Sequence, residues 1–511
     1  MPLNHSSSPA ISSIFLAVFI TACGGDSSSE AEITPTPIAP DTPVAPVNSA
    51  PVLTLTTTTV SIDSQGSTSI GVSATDADSD QLTYSLNNPP LISSEIIADQ
   101  LIITAEEVQT QQVQNLTVSL FDGQITVEQT IEITINPLAQ QSVLQLPQTP
   151  FNYAVIALPL HYTTNAFPSN FIFQTAAIES DNTPENNPIS DHGATLGRVL
   201  FYDTKLSFND TVSCASCHVQ AEGFSDSRRL SIGFDGGETR RHSMSLANAR
   251  FYQTGKFFWD ERADTLEQQV LMPIQDEVEM GLTLTQLVDV VAAQPYYNSL
   301  FINAFGDDEV SSERISFALS QFIRAMVSID AKYDQGRLTV NNPLDDFSNF
   351  SVDENAGKRL FMQFRDGIPP CTSCHSSEAF VGPLIGEDSN ATTSASNNGL
   401  DANSDSDQGV FESTGAMGHR GKFKSPSLKN IGVTAPYMHD GRFDTLAEVV
   451  EHYSSGIEAH PTLQALLKDA DGNPVRYNFS ATEQAQLVAF LETLTDETLL
   501  TDEKFSDPFV R

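Results

Sequence analysis

The chain has 511 residues, with 65 Asp and Glu against 25 Lys and Arg, a formal net charge of −40 at pH 7. That length exceeds a single core and implies several compact units. The charge excludes nonspecific nucleic-acid binding, since phosphates are repelled, and suits a basic or neutral partner.

The first Lys or Arg of the chain is Arg198, so everything before it carries only acidic and neutral side chains apart from three histidines and the α-amino group. Such a break marks a domain change, while a general habit of acidic surfaces, as in salt-adapted organisms, would also produce the net value. An apolar stretch from Ile11 to Ile20, too short to span a bilayer, runs into Thr21-Ala22-Cys23-Gly24-Gly25. It resembles a bacterial lipoprotein signal, with 1–22 removed and Cys23 lipidated. Gly24 after the cysteine, by the same resemblance, implies the outer membrane, and an ordinary cleaved signal is the alternative. Residues 23–50 are dominated by Pro, Ser and Thr and read as a tether.

From Pro51 to Pro137, short runs rich in Val, Ile and Thr (VLTLTTTTVSI, QLTYSL, QLIITA, LTVSLFD, ITVEQTIEITI) alternate with turn residues, the pattern of a small all-β sandwich. Asp76, Asp78 and Asp80, just before QLTYSL, resemble the Asp-rich turn of cadherin-like modules. They read equally as a calcium site or a solvated acidic turn. A linker of low regularity follows at 138–180. Beyond it, TLGRVLFYD, TLEQQVLMPI, SERISFALSQFIRAMVSI, TLAEVVEHY and ATEQAQLVAFLETL repeat apolar residues at three and four, a helical period. Two turn-rich insertions, 225–242 and 381–420, read as loops over a site.

Four of the five cysteines fall in Cys214-Ala215-Ser216-Cys217-His218 and Cys371-Thr372-Ser373-Cys374-His375. Each is a C-x-x-C-H motif for covalent haem attachment: two thioethers hold the porphyrin edge, and the adjoining His218 or His375 ligates iron. A zinc ribbon does not need His after both pairs, and a thioredoxin-type motif would not be duplicated. The predicted architecture is therefore multidomain and mainly α. Two c-type cytochrome lobes with long loops, a first haem domain at 181–345 and a second at 346–511, follow the β-sandwich.

The motifs and their order resemble the bacterial di-haem cytochrome c peroxidase and MauG family over Asp181 to Arg511. LGRVLFYDTKLS, SLANARFYQTGKFFWDERADTLEQQVLMPIQDEVEMG and KSPSLKNIGVTAPYMHDGRFDTLAEVVEHY carry the likeness. The resemblance makes Trp259, the single Trp of the chain, the inter-haem tryptophan. It makes Gln269 and Glu279 the distal polar pair of the first haem, with Glu279 as general acid/base and Pro273 closing the pocket. Asp276 and Glu277 are read as surface charge. It places Tyr453 where peroxidases carry a methionine and MauG-like members a tyrosine, as axial ligand of the second haem; an anionic phenolate favours ferric iron and lowers the potential. It puts calcium between the lobes on Asn248, Thr434 and Pro436, and His439 and Arg442 on haem propionates. His242, in the loop where some members carry a sixth ligand of the first haem, is read as structural.

Three functions follow. The first is a peroxidase reducing hydrogen peroxide at the first haem with electrons passed through the second from a small periplasmic donor, a cytochrome c or cupredoxin. The second is a MauG-like oxidase using peroxide to modify Trp or Tyr of a partner protein, which Tyr453 favours. The third, a pure electron carrier, is disfavoured by Gln269 and Glu279, because a carrier needs no distal acid. The implied location is the periplasm or cell envelope.

Overall fold

The computed structural model describes residues 47–108, 111–136, 143–164, 176–382 and 393–510; the leader, Cys23 and nearly all of the tether lie outside them. The chain divides into two compact units, residues 1–139 and 140–511. No helix among the described residues is long and apolar enough to cross a membrane.

The first unit is an eight-stranded sandwich: β1 Val52–Leu55, β2 Thr59–Asp63, β3 Ser67–Thr75, β4 Thr83–Asn87, β5 Ile92–Ile97, β6 Gln100–Ala105, β7 Gln112–Phe121 and β8 Thr126–Asn136. One sheet has the order β1-β3-β6-β5 and the other β2-β8-β7-β4. The core follows from period two: Leu116, Val118 and Leu120 of β7 and Ile131, Ile133 and Ile135 of β8 are wholly buried, with polar neighbours pointing out. The run VLTLTTTTVSI is two strands rather than one. β1 pairs antiparallel with β3 while β2 pairs parallel with β8, so the chain changes sheets across Thr56–Thr58. Strand β3, rich in Ser, Thr and Gly, has a weak apolar signal, yet Ile70 and Val72 face the core.

The second unit is mainly helical and holds two large apolar cores. Each is built on a crossed helix pair. Helix Asp191–Tyr202, capped by Ser190, packs on Ser312–Arg324, and Val352–Met362, opened by a Ser351/Glu354 capping box, packs on Ala481–Glu492. Both crossings need a glycine. A Cβ on Gly197 would lie 2.0 Å from the Ala318 carbonyl oxygen, and one on Gly357 would lie 1.8 Å from that of Gln486.

The segments flanking this body are part of it. Tyr153 joins the first core, Tyr162 is buried against Phe251 and Tyr252, and His161 meets Asp334 at 3.1 Å, so much of 143–164 packs rather than merely links. The C-terminal stretch does not stay with the second lobe. Leu499 and Phe505 enter the first core, Tyr202 donates to the Phe505 carbonyl at 2.6 Å, and Leu144 bridges to Phe509. The reason is chemical: Phe505 packs edge-on against Tyr153 and Phe224, aromatic surface that the first lobe cannot cover alone.

Candidate functional site: two cavities sharing a tryptophan

The Cys214–Cys217 helical turn is held by a capping box in which Ser213 and Ser216 satisfy each other, so both sulfurs face one wall. They border a cavity of about 600 Å3 that is also lined by His218, Met244, Trp259, Gln269, Pro273 and Glu279. Cys371, Cys374, His375, Met438, His439 and Tyr453 line a second, narrower cavity of about 230 Å3. All four thiols are unpaired, and burial pushes them up, Cys214 and Cys371 to about 12 and Cys217 and Cys374 to about 11. They are neutral, and the two pairs lie in different cavities. Among the described residues the one Cys/His/Asp/Glu group whose ligand atoms converge within 4.8 Å is Asp76, Asp80 and Asp122, so the cysteines form no shared zinc centre.

The histidines fit iron. His218 Nδ1–H donates to the Phe224 carbonyl at 2.9 Å, which fixes the tautomer with a lone pair on Nε2. Burial holds His218 below the usual imidazole range and takes His375 down to about 4, opposed by the Phe380 carbonyl. Phe224 and Phe380 adopt φ of +59° and +52°, a matched turn after each motif, and after the first motif it brings a carbonyl back to the imidazole.

Glu279 is half-buried on the wall of the first cavity. Burial and the neighbouring Asp276 push its carboxyl up to about 7, while Arg262 pulls the other way. Asp276 is more than surface charge, because its Oδ1 accepts from the Val278 and Glu279 N–H groups at 2.8 and 3.1 Å and closes the turn that aims Glu279. The 225–242 insertion backs this turn: Phe234 N–H donates to the Glu279 carbonyl at 3.1 Å, and a Cβ on Gly233 would lie 1.7 Å from the Val278 carbonyl oxygen.

Trp259 lines both cavities. Its Nε1–H donates to the His242 carbonyl at 2.8 Å, and its own carbonyl accepts from Lys424 N–H at 2.8 Å. Its ring meets His439 edge-on at 6.5 Å, and His439 stacks on Phe423 at 3.7 Å. The two insertions meet beside it. Arg241 pairs with Asp260 at 2.6 Å and with Asp407 at 2.8 Å, and Arg240 pairs with Glu412 at 2.6 Å. The His242 ring is occupied by the protein, Nδ1 toward the Arg228 and Arg229 carbonyls and Nε2 at 3.2 Å from Ser225 Oγ, which suits a structural role.

A model of the di-haem cytochrome c peroxidase family matches residues 191–339. Methylamine utilization protein MauG of Methylorubrum extorquens is 34% identical over 320 residues, 62% of this chain and 82% of that protein. The chain belongs to the di-haem cytochrome c peroxidase and MauG family. Cytochrome c551 peroxidase of Nitrosomonas europaea is 31% identical over 62% of this chain and 82% of its own length. A crystal structure described as a MauG-like protein associated with microbial copper homeostasis superposes with a TM-score of 0.55 at 34% identity, covering 64% of this chain and 96% of that one. Membership makes the chain an oxidoreductase of peroxidase type carrying covalently bound haem c.

Set in this di-haem family, several positions differ from expectation. Arg442 lines neither cavity and is paired with Asp401 at 2.9 Å and Asp440 at 2.7 Å. Asn248 is buried, with Oδ1 accepting from Ser328 N–H at 2.9 Å. In the sandwich, Asp76 and Asp80 gather with Asp122 rather than Asp78, whose carboxylate takes Ser49 N–H. Lys424, unnoticed in the sequence, lines both cavities with its ammonium 4.0 Å from the Tyr252 ring centroid and 4.5 Å from that of Phe257. Burial draws it down to about 7 against the pull of Glu261. A lysine flanked by Phe423 and Ser425 carries no local signal; the folded chain alone brings it between the cavities.

Proposed function

We propose that the chain consumes hydrogen peroxide at the first cavity and exchanges electrons through the second. Cys214 and Cys217 would anchor one haem with His218 Nε2 toward its iron, and Cys371, Cys374 and His375 the other. Bound haem supplies the redox chemistry that cleaves the O–O bond. Glu279 is the observation that carries the reading, a carboxyl poised near neutrality on the wall of the cavity that His218 also lines. Its oxygen takes a proton from incoming peroxide and returns it to the departing oxygen as water forms. Gln269, lining the same cavity, orients the peroxide through its carboxamide. Trp259 is the stepping point between cavities. Its indole N–H faces a backbone carbonyl, which accepts a hydrogen bond but no proton, so an electron leaves the ring while the proton stays on Nε1.

Replacing Glu279 by Gln should slow peroxide-driven oxidation of a reduced cytochrome c or cupredoxin roughly hundred- to ten-thousand-fold, with both Soret absorptions retained. An unchanged rate would remove Glu279 from the mechanism.

Tyr453 favours a second reading, a MauG-like oxidase acting on Trp or Tyr of a partner protein. It lies in the second cavity as a phenol that burial raises to about 12, where a peroxidase would carry a thioether. A new near-infrared absorption on adding peroxide to the oxidised protein supports this reading, and rapid oxidation of a reduced small donor supports the first. Changing Tyr453 to Met should raise the second haem's potential.

Calcium belongs to the same proposal. Between the lobes it would use the remaining lone pair of Asn248 Oδ1 with the Thr434 and Pro436 carbonyls, and in the sandwich Asp76, Asp80 and Asp122. The periplasm, with lipid on Cys23 at the outer membrane, is the proposed location, checked by mass spectrometry of the mature N-terminus.

A further inference from the structure

The second cavity contains a carboxamide that the proposed chemistry does not use. Asn398 lies on a segment clamped to the turn carrying Tyr453. His452 Nε2–H donates to the Asn398 carbonyl at 3.2 Å, Glu458 N–H to the Gly399 carbonyl at 2.7 Å, and Gln464 N–H to the Asn397 carbonyl at 2.9 Å. Gly399 makes the close approach possible, at φ +67° and with room for no Cβ, which would lie 2.6 Å from Ile457 and 2.7 Å from the Glu458 carbonyl oxygen. Two successive residues of one turn thus address the same asparagine, His452 its backbone and Tyr453 its side chain.

Held in this way, Asn398 Nδ2 faces two electron-rich atoms, the Tyr453 hydroxyl oxygen at 3.4 Å and Met438 Sδ at 3.7 Å. Met438 keeps φ at +75°, a conformation bulky side chains rarely hold unless their surroundings impose it. Tyr453 sits in a turn of π-helix, His452–Gly456, which follows directly on the helix Leu446–Glu451 and swings the phenol into the cavity. A carboxamide N–H can only donate. Aimed at a phenol oxygen, it occupies one lone pair and withdraws density from the others.

We propose that Asn398 is a positioning residue for Tyr453: its N–H orients the phenol oxygen and weakens it as a donor to the iron of the second haem, while Met438 sulfur keeps the carboxamide turned into the cavity. This rests on Tyr453 being the ligand. A weaker oxygen donor stabilises ferric iron less, so the hydrogen bond holds the second haem's potential above that of an unassisted phenolate.

The test uses the full-length protein with both haems attached, with midpoint potentials from spectroelectrochemistry and low-temperature electron paramagnetic resonance of the oxidised second haem. Asn398→Leu should lower the second potential and shift its resonance while leaving the first potential in place. Asn398→Gln should restore part of the shift, and Met438→Leu should move the signals in the same direction by less. Tyr453→Phe is the reference. If it alters both signals and Asn398→Leu alters neither, the role of Asn398 is refuted while Tyr453 remains the ligand. If Tyr453→Phe also leaves both unchanged, the ligand reading fails and takes this proposal with it. Should Asn398→Leu not accumulate with haem, Asn398→Ser, smaller and still polar, gives the same potential readout.

Discussion

Glu279 is asked to change charge near neutrality, and two neighbours decide where it does so. Asp276 and burial disfavour its carboxylate, Arg262 favours it, and the balance lies at about 7. If Glu279 takes the first proton, as proposed, it must be ionised, so the peroxide reaction of the first haem should accelerate as pH rises through about 7. Asp276→Asn keeps the oxygen that accepts from Val278 and Glu279 but removes the like charge. The inflection should therefore move to lower pH with the turn intact, whereas Asp276→Ala should also depress the maximal rate by loosening the turn. Stopped-flow pH profiles check both, and an inflection that stays put in Asp276→Asn would separate the two carboxylates. Glu279, Gln269 and Trp259 were legible because the motifs carry them. Asp276 could have been found from Asx-turn spacing, since its acceptor reaches N–H groups two and three residues on. Lys424 and Asn398 could not, because their partners come from distant parts of the chain.

At the scale of elements, the two lobes repeat a device. Gly197-Arg198-Val199-Leu200-Phe201 and Gly357-Lys358-Arg359-Leu360-Phe361 each precede a haem motif, and each glycine lets one helix backbone touch another. That internal repeat was present in the sequence, but its meaning depends on which helix crosses, and the crossing partners Ala318 and Gln486 lie more than a hundred residues downstream. A methyl group at either glycine has no soft neighbour to displace. Gly197→Ala and Gly357→Ala should each destabilise by about 1–3 kcal/mol or more, measured by denaturant unfolding of the holoprotein, and each should loosen its own haem first. A second device is the buried cluster in which Lys429 Nζ meets both Asp334 oxygens at 2.6 Å and His161 approaches the same carboxylate. Lys429→Met would leave Asp334 largely uncompensated, at a cost of about 3–5 kcal/mol. Asp334→Asn combined with it should recover part of the loss.

Across the whole molecule, the net charge of −40 governs encounter. If the electron donor is a small basic protein, its association rate should fall steeply as ionic strength rises past about 0.1 M, where the Debye length is about 10 Å. A salt-independent rate would point to an apolar docking face instead. The overall order of parts, an all-β module and then a helical di-haem body, was readable because period two and period three to four differ so plainly. Its closure was not. The chain's change of sheets at Thr56–Thr58 and the tail that leaves its own lobe are decided by long-range packing, which local periodicity does not encode.

That tail sets an order of assembly. Core residues of the later lobe run from Tyr333 to Leu494, so its interior is complete once that stretch has emerged, whereas the earlier lobe also needs Leu499 and Phe505 and the Leu144–Phe509 pairing. The lobe synthesised first must therefore finish last. A chain lacking the stretch from Leu499 to Phe509 would keep the interior around the second cavity and lose part of the one around the first, which ties completion of the earlier lobe to a distant segment.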